Sequence, residues 1–533
     1  MPRGPIDYLV IGAGSAGCVI AARLSEDPAV RVTLVEAGRA RDWRTAVPGL
    51  AGALWRTPVD WGFATSPQAA MDGRQLHMPR GKVVGGTSAI NYMVYIRGHR
   101  DNFDGWRDGG NPGWAYEDVL PLFKRSERNE HGASDYHGAD GPLDVQSLRQ
   151  PTEVTGLLAE ATAELCRVPR AHDFNGASQD GAGRFQMTIR DGRRCDTALA
   201  FLAPARLRPN LTVISDAHAL RIAIENGRAI GVHVRRHGQD QLLRAEREVI
   251  VSAGAIGSPQ LLMLSGIGPA AHLREHGIAV MHDVPAVGQH LQDHVWGGAT
   301  FATTQAASVT MSTPRALGWL AMYAAGRRGP MSGNFCEAGA FVRVRASAVR
   351  PDLQFHFLPT GIGAEPNTDR VNYTPRGTAF TILPTLLYPK SRGEVRLRSA
   401  DPTASPHIDP RYFSDPDDVA LVLEGSQLAL AVAHSPAMKG VTGAPLTPAS
   451  DHHADDATRR AELRARGGHI FHPVGTCRMG PTDDDVVDAR LQVRGVAGLR
   501  VADASIMPTI VGGNTNAACI MIGEKAADLV RGR

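Results

Sequence analysis

Much that defines other protein classes is missing from this chain. Neither sign of charge dominates: 57 Lys and Arg stand against 54 Asp and Glu in 533 residues, a net charge of +3. That balance removes the electrostatic case for a nucleic-acid partner. Cysteines are few and scattered, at positions 18, 166, 195, 336, 477 and 519, with no CxxC pair among them. The pattern fits reduced thiols in a cytoplasmic protein better than a disulfide framework. No apolar run approaches the ~20 residues that span a bilayer, and the first strand begins too early to leave room for a secretory leader. Internal repeats are absent and linkers are few. Aromatic residues are scarce, at 6%.

What the chain does have is length, a core and glycine. Hydrophobic residues make up 43% and glycines number 58, so two interleaved domains with many tight turns are expected. The first segment is the most readable. Ile6 to Ile11 is a short apolar run suited to a buried parallel strand. It leads into Gly12-Ala13-Gly14-Ser15-Ala16-Gly17, then a helical stretch to Leu24, then a second strand from Arg31 to Val35 that ends on Glu36. Strand, glycine turn, helix, strand and acid together make GxGxxG a dinucleotide-binding fingerprint. Gly12 allows the tight turn, Gly14 lets a pyrophosphate approach the backbone, and Gly17 lets helix and strand lie close. Phosphates would face the helix N-terminus. Glu36 can accept from a ribose, and its charge would repel a 2′-phosphate.

Further along, Pro79 to Asn91 is a glycine-rich loop expected to open a helix. Strands are expected at Leu211 to Ile214, His218 to Ile224, Ile230 to Val234 and Val249 to Ser252. The last leads through Ala253-Gly254 into an apolar helix that ends at Ser265-Gly266. This second strand–turn–helix lacks GxGxxG, so only one dinucleotide site is expected. Between about 300 and 465 the texture changes. Strands are expected at Pro351 to Leu358, Phe380 to Leu387 and Gly393 to Leu397, with a helix near Asp418 to Ala433. Asp451 to Asp456, with His452 and His453, reads as a solvated loop, since no further ligands sit at zinc spacing. No metal is expected. Near the end, His472-Pro473 and Asn514 put a histidine and an amide on two separate segments. A base and a hydrogen-bond donor beside a redox cofactor are what alcohol oxidation requires.

Four ordered segments resemble the glucose–methanol–choline oxidoreductases: Pro79 to Asn91, Gly254 to Gly268, His472 to Gly480, and Gly498 to Pro508. The closing Gly512-Gly513-Asn514-Thr515-Asn516 is most similar to bacterial choline dehydrogenase and its alcohol dehydrogenase relatives. The resemblance implies an α/β fold, with a Rossmann-type FAD-binding domain and an inserted α+β substrate domain built on an antiparallel sheet. The expected FAD domain comprises 1–155, 196–300 and 466–533; the expected substrate domain comprises 156–195 and 301–465. Gly12, Gly14, Ser15, Ala16, Gly17 and Glu36 would hold the adenosine and phosphates, with backbone at Ala219 on the adenine. Val84, Gly85 and Asn91 would line the flavin, Asp503 would meet the pyrophosphate or ribityl chain, and Asn516 would lie near the pyrimidine edge. Some relatives attach FAD through a histidine just before the asparagine of the first segment. Ile90 stands there, so the FAD is expected to be non-covalent.

The resemblance also implies the chemistry. His472 is the expected base, since a neutral imidazole suits proton abstraction near neutral pH. Asn514 would donate to the developing alkoxide. Hydride would pass to flavin N5, with a primary alcohol as substrate and a quinone or other acceptor as partner. His469 is assigned no role. Choline would call for an aromatic cage and a carboxylate, for which Trp61 and Glu337 are the candidates. Oxygen use, and a lyase that keeps FAD without net redox change, are the other readings; peripheral membrane association fits a quinone acceptor. The sequence leaves the oligomeric state open.

Overall fold

The computed structural model describes residues 4–303, 313–364, 371–373 and 378–532. At its centre is a five-stranded parallel sheet: β1 (Tyr8–Ile11), β2 (Val32–Val35), β3 (Leu211–Ile214), β4 (Glu248–Val251) and β5 (Leu499–Val501). Their order is β3-β2-β1-β4-β5. β1 and β2 are YLVI and VTLV, buried at every position. Such unbroken apolar runs suit strands covered on both faces. Ile11 pairs with Val35 on one side and Val251 on the other. The carboxyl ends of the strands are therefore level, and the segments that follow them emerge at one rim.

Three helices frame that rim: α1 (Ser15–Leu24), α2 (Gly254–Leu264) and, far along the chain, the helix Asn516–Val530. Apolar on nearly all sides and almost wholly buried, α1 is enclosed by protein as its composition requires. The Asn516–Val530 helix packs against it. At the far end of this pair Arg23 grips Glu524 at 2.8 and 2.9 Å, with Ser126 Oγ on the same carboxylate at 2.8 Å. Removing one partner of so buried a pair costs about 3–5 kcal/mol.

The second large sheet has nine strands. Its main path runs Thr442–Pro445, Ala299–Thr303, Ala379–Leu386, Leu353–Leu358, Ala338–Val342, Gly181–Arg184, Arg170–Ala171. All neighbours on that path are antiparallel except the last pair. The helices Glu153–Cys166 and Pro416–Ala433 cover one face, with Leu353, Phe355 and Phe357 in the core between. The sheet also takes in Val295–Trp296, which pairs with Gly468–His469, and so runs past the sequence limits expected at 300 and 466.

Most expected strands are present, within one or two residues. The departure is at Pro79 to Asn91, which opens only a four-residue 3-10 turn, Gly86–Ala89. Gly85 at φ 106° and Gly86 at φ 54° are both left-handed, so two successive residues depart from right-handed helical angles and the segment makes only a short turn. The 451–455 stretch is a mostly exposed loop, as expected, with Asp456 opening the next helix.

Candidate active site

Between the two sheets lies a cavity of about 340 Å³. Its floor is the rim of the parallel sheet, where doubly wound folds bind ligands at the reversal of strand order. Gly12 follows β1, Glu36 follows β2, Ala217 to Ala219 follow β3, Ser252 to Gly254 follow β4, and Asp503 follows β5; all line the cavity. Gly12 sits at φ 97°, and a Cβ there would meet the Ser252 carbonyl at 2.4 Å. Ser15 and Ala16 at the start of α1, and Thr515 and Asn516 at the start of the Asn516–Val530 helix, also line the wall. Neither helix carries a side-chain cap. Two sets of free backbone N–H groups therefore converge on one spot, which suits a diphosphate. Ser15 Oγ donates to Asn516 Oδ1 at 2.7 Å and ties the two starts together.

The acids at this end are arranged to accept. Glu36 takes the Ala13 N–H at 2.9 Å and the Gly38 N–H at 2.8 Å, one on each oxygen. Lone pairs remain for ribose hydroxyls. Burial pushes its pKa up to about 7. Asp503 accepts from Gly254 N, Ser505 N and Ser258 Oγ at 2.8, 2.8 and 2.5 Å, and burial raises its pKa as well. Across the cavity, a Cβ on Gly86 would lie 2.5 Å from the Gly14 Cα, so the fingerprint turn and the Pro79–Asn91 loop close on each other. These features fit a dinucleotide along the floor. Asn91 marks its far end: its Oδ1 accepts from Arg194 Nη1 at 2.8 Å and Met93 N at 3.0 Å. The amide N–H₂ is left for the cavity. Arg194 is buried, and desolvation brings its pKa down to about 10.

At that far end stand His472 and Asn514. Asp293 anchors the backbone: its Oδ1 accepts the His472 N–H at 2.7 Å, and its Oδ2 accepts from Tyr412 Oη and from His469 Nδ1, each at 2.7 Å. Burial alone would raise this carboxyl, but the His469 ring and these donors outweigh it and hold it below the usual range. The ring of His472 meets His294, Nδ1 to Nδ1, at 2.9 Å, and His294 Nε2 meets the Leu387 carbonyl at 3.1 Å. A carbonyl only accepts, so His294 Nε2 carries the proton and His294 Nδ1 is the acceptor. His472 Nδ1 must then be the donor. Its Nε2 is left with a bare lone pair beside the Asn514 amide, 3.5 Å from Nδ2. Gln354 Nε2 donates to Asn514 Oδ1 at 3.2 Å, which turns the Asn514 N–H₂ toward His472.

Charge is unwelcome on this ring. Burial first, then His294, His356 and Arg80, push the His472 pKa well below the ordinary imidazole value. Burial also takes His294 down to about 4 and His356 to about 3. The ring nitrogen facing the cavity is thus a neutral base across the physiological range.

Most residues expected at the site line the cavity: Gly12, Gly14, Ser15, Ala16, Glu36, Asn91, Ala219, His472, Asp503, Asn514 and Asn516. Gly17, Val84 and Gly85 are not part of its wall. A Cβ on Gly17 would meet the Gly12 carbonyl at 1.9 Å, so its task is the close packing of turn and helix. Val84 is in the core, and Gly85 N–H donates to the Ala13 carbonyl at 2.8 Å. Gly81, Gly86, Thr87 and Ile90 form the wall there instead. Trp61 stacks on Phe63, meets His218 edge-on and carries Lys82 Nζ at 4.5 Å. It therefore belongs to the Ala219 end, not to the neighbourhood of His472. Glu337 is bound to Thr152 and Thr155 at the start of the Glu153–Cys166 helix.

Sequence reading missed Asp293, His294, Gln354, His356 and Trp55. A signal was available for two of them: Gln354 and His356 are alternate polar residues in an otherwise apolar strand, LQFHFL, and alternate residues share a face.

The class of protein follows from this arrangement and from comparison. The GMC oxidoreductase models match residues 6–296, for the N-terminal part, and 389–523, for the C-terminal part. The chain belongs to the GMC oxidoreductase family, and it is a flavoprotein oxidoreductase with FAD as cofactor. Among its relatives, an alcohol dehydrogenase [acceptor] of Pseudomonas putida is 42% identical, over 98% of this chain and 95% of that protein. An oxygen-dependent choline dehydrogenase of Sinorhizobium medicae is 40% identical, over 99% and 96%. The crystal structure of pyridoxine 4-oxidase from Mesorbium loti superposes with a TM-score of 0.90 at 30% identity, covering 99% of each chain.

Proposed function

We propose that this protein oxidises a primary alcohol to the aldehyde with non-covalently bound FAD and passes the electrons to a quinone or similar acceptor. In this reading residues 1–155, 196–300 and 466–533 form the FAD-binding domain, 156–195 with 301–465 form the substrate domain, and the alcohol binds where the two meet. FAD, when bound, supplies the hydride acceptor. The protein's part is proton transfer and positioning. His472 Nε2 takes the hydroxyl proton, and Asn514 Nδ2 donates to the oxygen as negative charge builds there. The α-carbon loses hydride as the C=O bond forms. The carrying observation is the hydrogen-bond chain from the Leu387 carbonyl through His294 to His472, which leaves one bare nitrogen at the cavity.

The lining supports an apolar alcohol over choline. The cavity wall includes Trp55, Tyr92, Met93, Trp296, Leu358 and Phe471. Among the described residues the only carboxylates lining the cavity are Glu36 and Asp503, both at the cofactor floor, so a quaternary ammonium finds no counter-charge. The relative named as an acceptor-linked alcohol dehydrogenase supports the dehydrogenase reading over oxygen use. All six cysteines are free, which supports a cytoplasmic location.

The test is an anaerobic screen of alcohols for flavin bleaching, followed by reoxidation with air or with a quinone analogue. Apolar primary alcohols should bleach the flavin and choline should not, and the quinone should restore the spectrum faster than air. A turnover that leaves the flavin colour unchanged would identify a lyase. Reoxidation by air at the turnover rate, with peroxide formed in proportion, would identify an oxidase.

A further inference from the structure

Helix α3 (Thr313–Gly326) and the turn at Trp43 form a face that neither cofactor nor alcohol uses. The sequence of α3, TPRALGWLAMYAAG, has one charged residue, Arg315, and is otherwise apolar or small around its circumference. Such a helix is normally enclosed by protein. Here Leu317 is 63% and Met322 50% exposed, with Ala321, Ala324 and Ala325 also open to solvent. Tyr323 Oη donates to the Ala46 carbonyl at 3.2 Å. This sets α3 beside the Trp43–Ala46 turn, where Trp43 is 71% exposed.

Among the described residues, the charge on this face that is not already paired is positive. From Thr313 to Cys336 the chain contains Arg315, Arg327 and Arg328 and no acid; all three arginines are exposed. Asp42 and Asp191 on neighbouring turns are already paired, with Arg44 at 2.7 Å and Arg149 at 2.6 Å. We propose that this face docks the protein on an anionic lipid surface, with α3 lying in the plane of the interface. Exposed Leu and Met side chains beside an exposed Trp suit partition into a lipid interface, and the exposed arginines that flank them are drawn to anionic headgroups. At 14 residues α3 is too short to cross a bilayer. Docking of a second copy through the same face would set arginine against arginine.

The position of the face gives docking a use, and this part rests on the quinone reading above. The α3 helix packs on Pro330–Ser332, which packs on Pro48–Leu54. Just past the ends of these two segments, Cys336 and Trp55 reach the cavity wall. A docked protein would hold the apolar end of its cavity close to the layer in which a lipid-soluble acceptor dissolves.

The experiment is co-sedimentation of the holoenzyme with phosphatidylcholine vesicles, with and without phosphatidylglycerol. The parent should sediment with the anionic vesicles and be released by salt. The doubles Leu317→Glu with Met322→Glu, and Arg327→Glu with Arg328→Glu, should each lower the bound fraction about tenfold or more. Both doubles should keep dye-linked activity in solution, which also shows that they fold. A parent that stays in the supernatant with every vesicle overturns the proposal, as do variants that sediment like the parent. So does a parent dimer that the variants break while lipid binding is unaltered, because the face would then belong to a second copy. Vesicle binding by a protein that oxidises no alcohol would instead leave docking standing and remove the functional reading.

Discussion

Replacing His294 with phenylalanine tests the central chemical argument, because His294 meets the base without being the base. The ring accepts the proton of His472 Nδ1 at 2.9 Å and is itself fixed by the Leu387 carbonyl. Phenylalanine keeps the bulk and removes the acceptor. A buried donor left without a partner costs about 1–3 kcal/mol. His472 escapes that cost by carrying its proton on Nε2, the nitrogen that must be bare to take a proton from the alcohol. At 1.4 kcal/mol per factor of ten, the competent form becomes about 5- to 150-fold rarer. The rate of anaerobic flavin reduction by a good alcohol, followed in a stopped-flow instrument, should fall by the same factor. His472→Ala sets the floor, on the order of a hundredfold or more below the parent. His294→Gln, whose amide oxygen can accept from Nδ1, should recover part of the loss. Reduction of His294→Phe at the parent rate would refute the reasoning, because the lone pair on Nε2 would then owe nothing to His294.

The remaining expectations concern pH and the cofactor. Because the pKa of His472 is pushed well below the ordinary imidazole value, the flavin-reduction rate should stay level as pH falls from 8 past ~6.5; a decline centred near 6.5 would count against the buried neutral base. FAD should be released into the supernatant by acid or heat, since Ile90 in the cavity wall offers no atom for a covalent link; yellow colour left in the denatured pellet would show otherwise. His137 lies between Glu127 at 3.0 Å and Asp173 at 2.9 Å. Burial opposes its charge, but these two acids win and raise its pKa to about 9. With the folded value above an unfolded ~6.5, its contribution is complete below pH 6.5 and lost as pH rises through 9. The apparent melting temperature of the parent should therefore drop between pH 6.5 and 9.5 more steeply than that of His137→Gln; parallel curves would remove His137 from the account.

The parallel-sheet half of the molecule was readable because its signals are local. A strand, a glycine turn, a helix and a terminal acid lie within Ile6 to Glu36, and each residue's task follows from its neighbours in sequence. His472 and Asn514, the proposed base and donor, were singled out by resemblance. The groups that make His472 a base were not, because they arrive from elsewhere in the fold. Asp293 and His294 are 179 and 178 residues away, and Gln354 is 160 residues from Asn514. Only strand pairing across the nine-stranded sheet brings them together, and no spacing rule encodes that. Val84 and Gly85 lie outside the cavity wall for the opposite reason. Their position in the motif is local, but the side of the loop facing the cavity depends on the left-handed turn at Gly85 and Gly86.

The bond between Ser15 and Asn516 joins residues 501 positions apart. A ribosome adding about 5–20 residues per second needs roughly 25–100 s to travel between them. For that interval the fingerprint turn exists without the second helix that completes its phosphate cradle. On the proposed reading, FAD should be held only once the Asn516–Val530 helix has been made, and a nascent chain halted before Asn516 should carry no flavin colour.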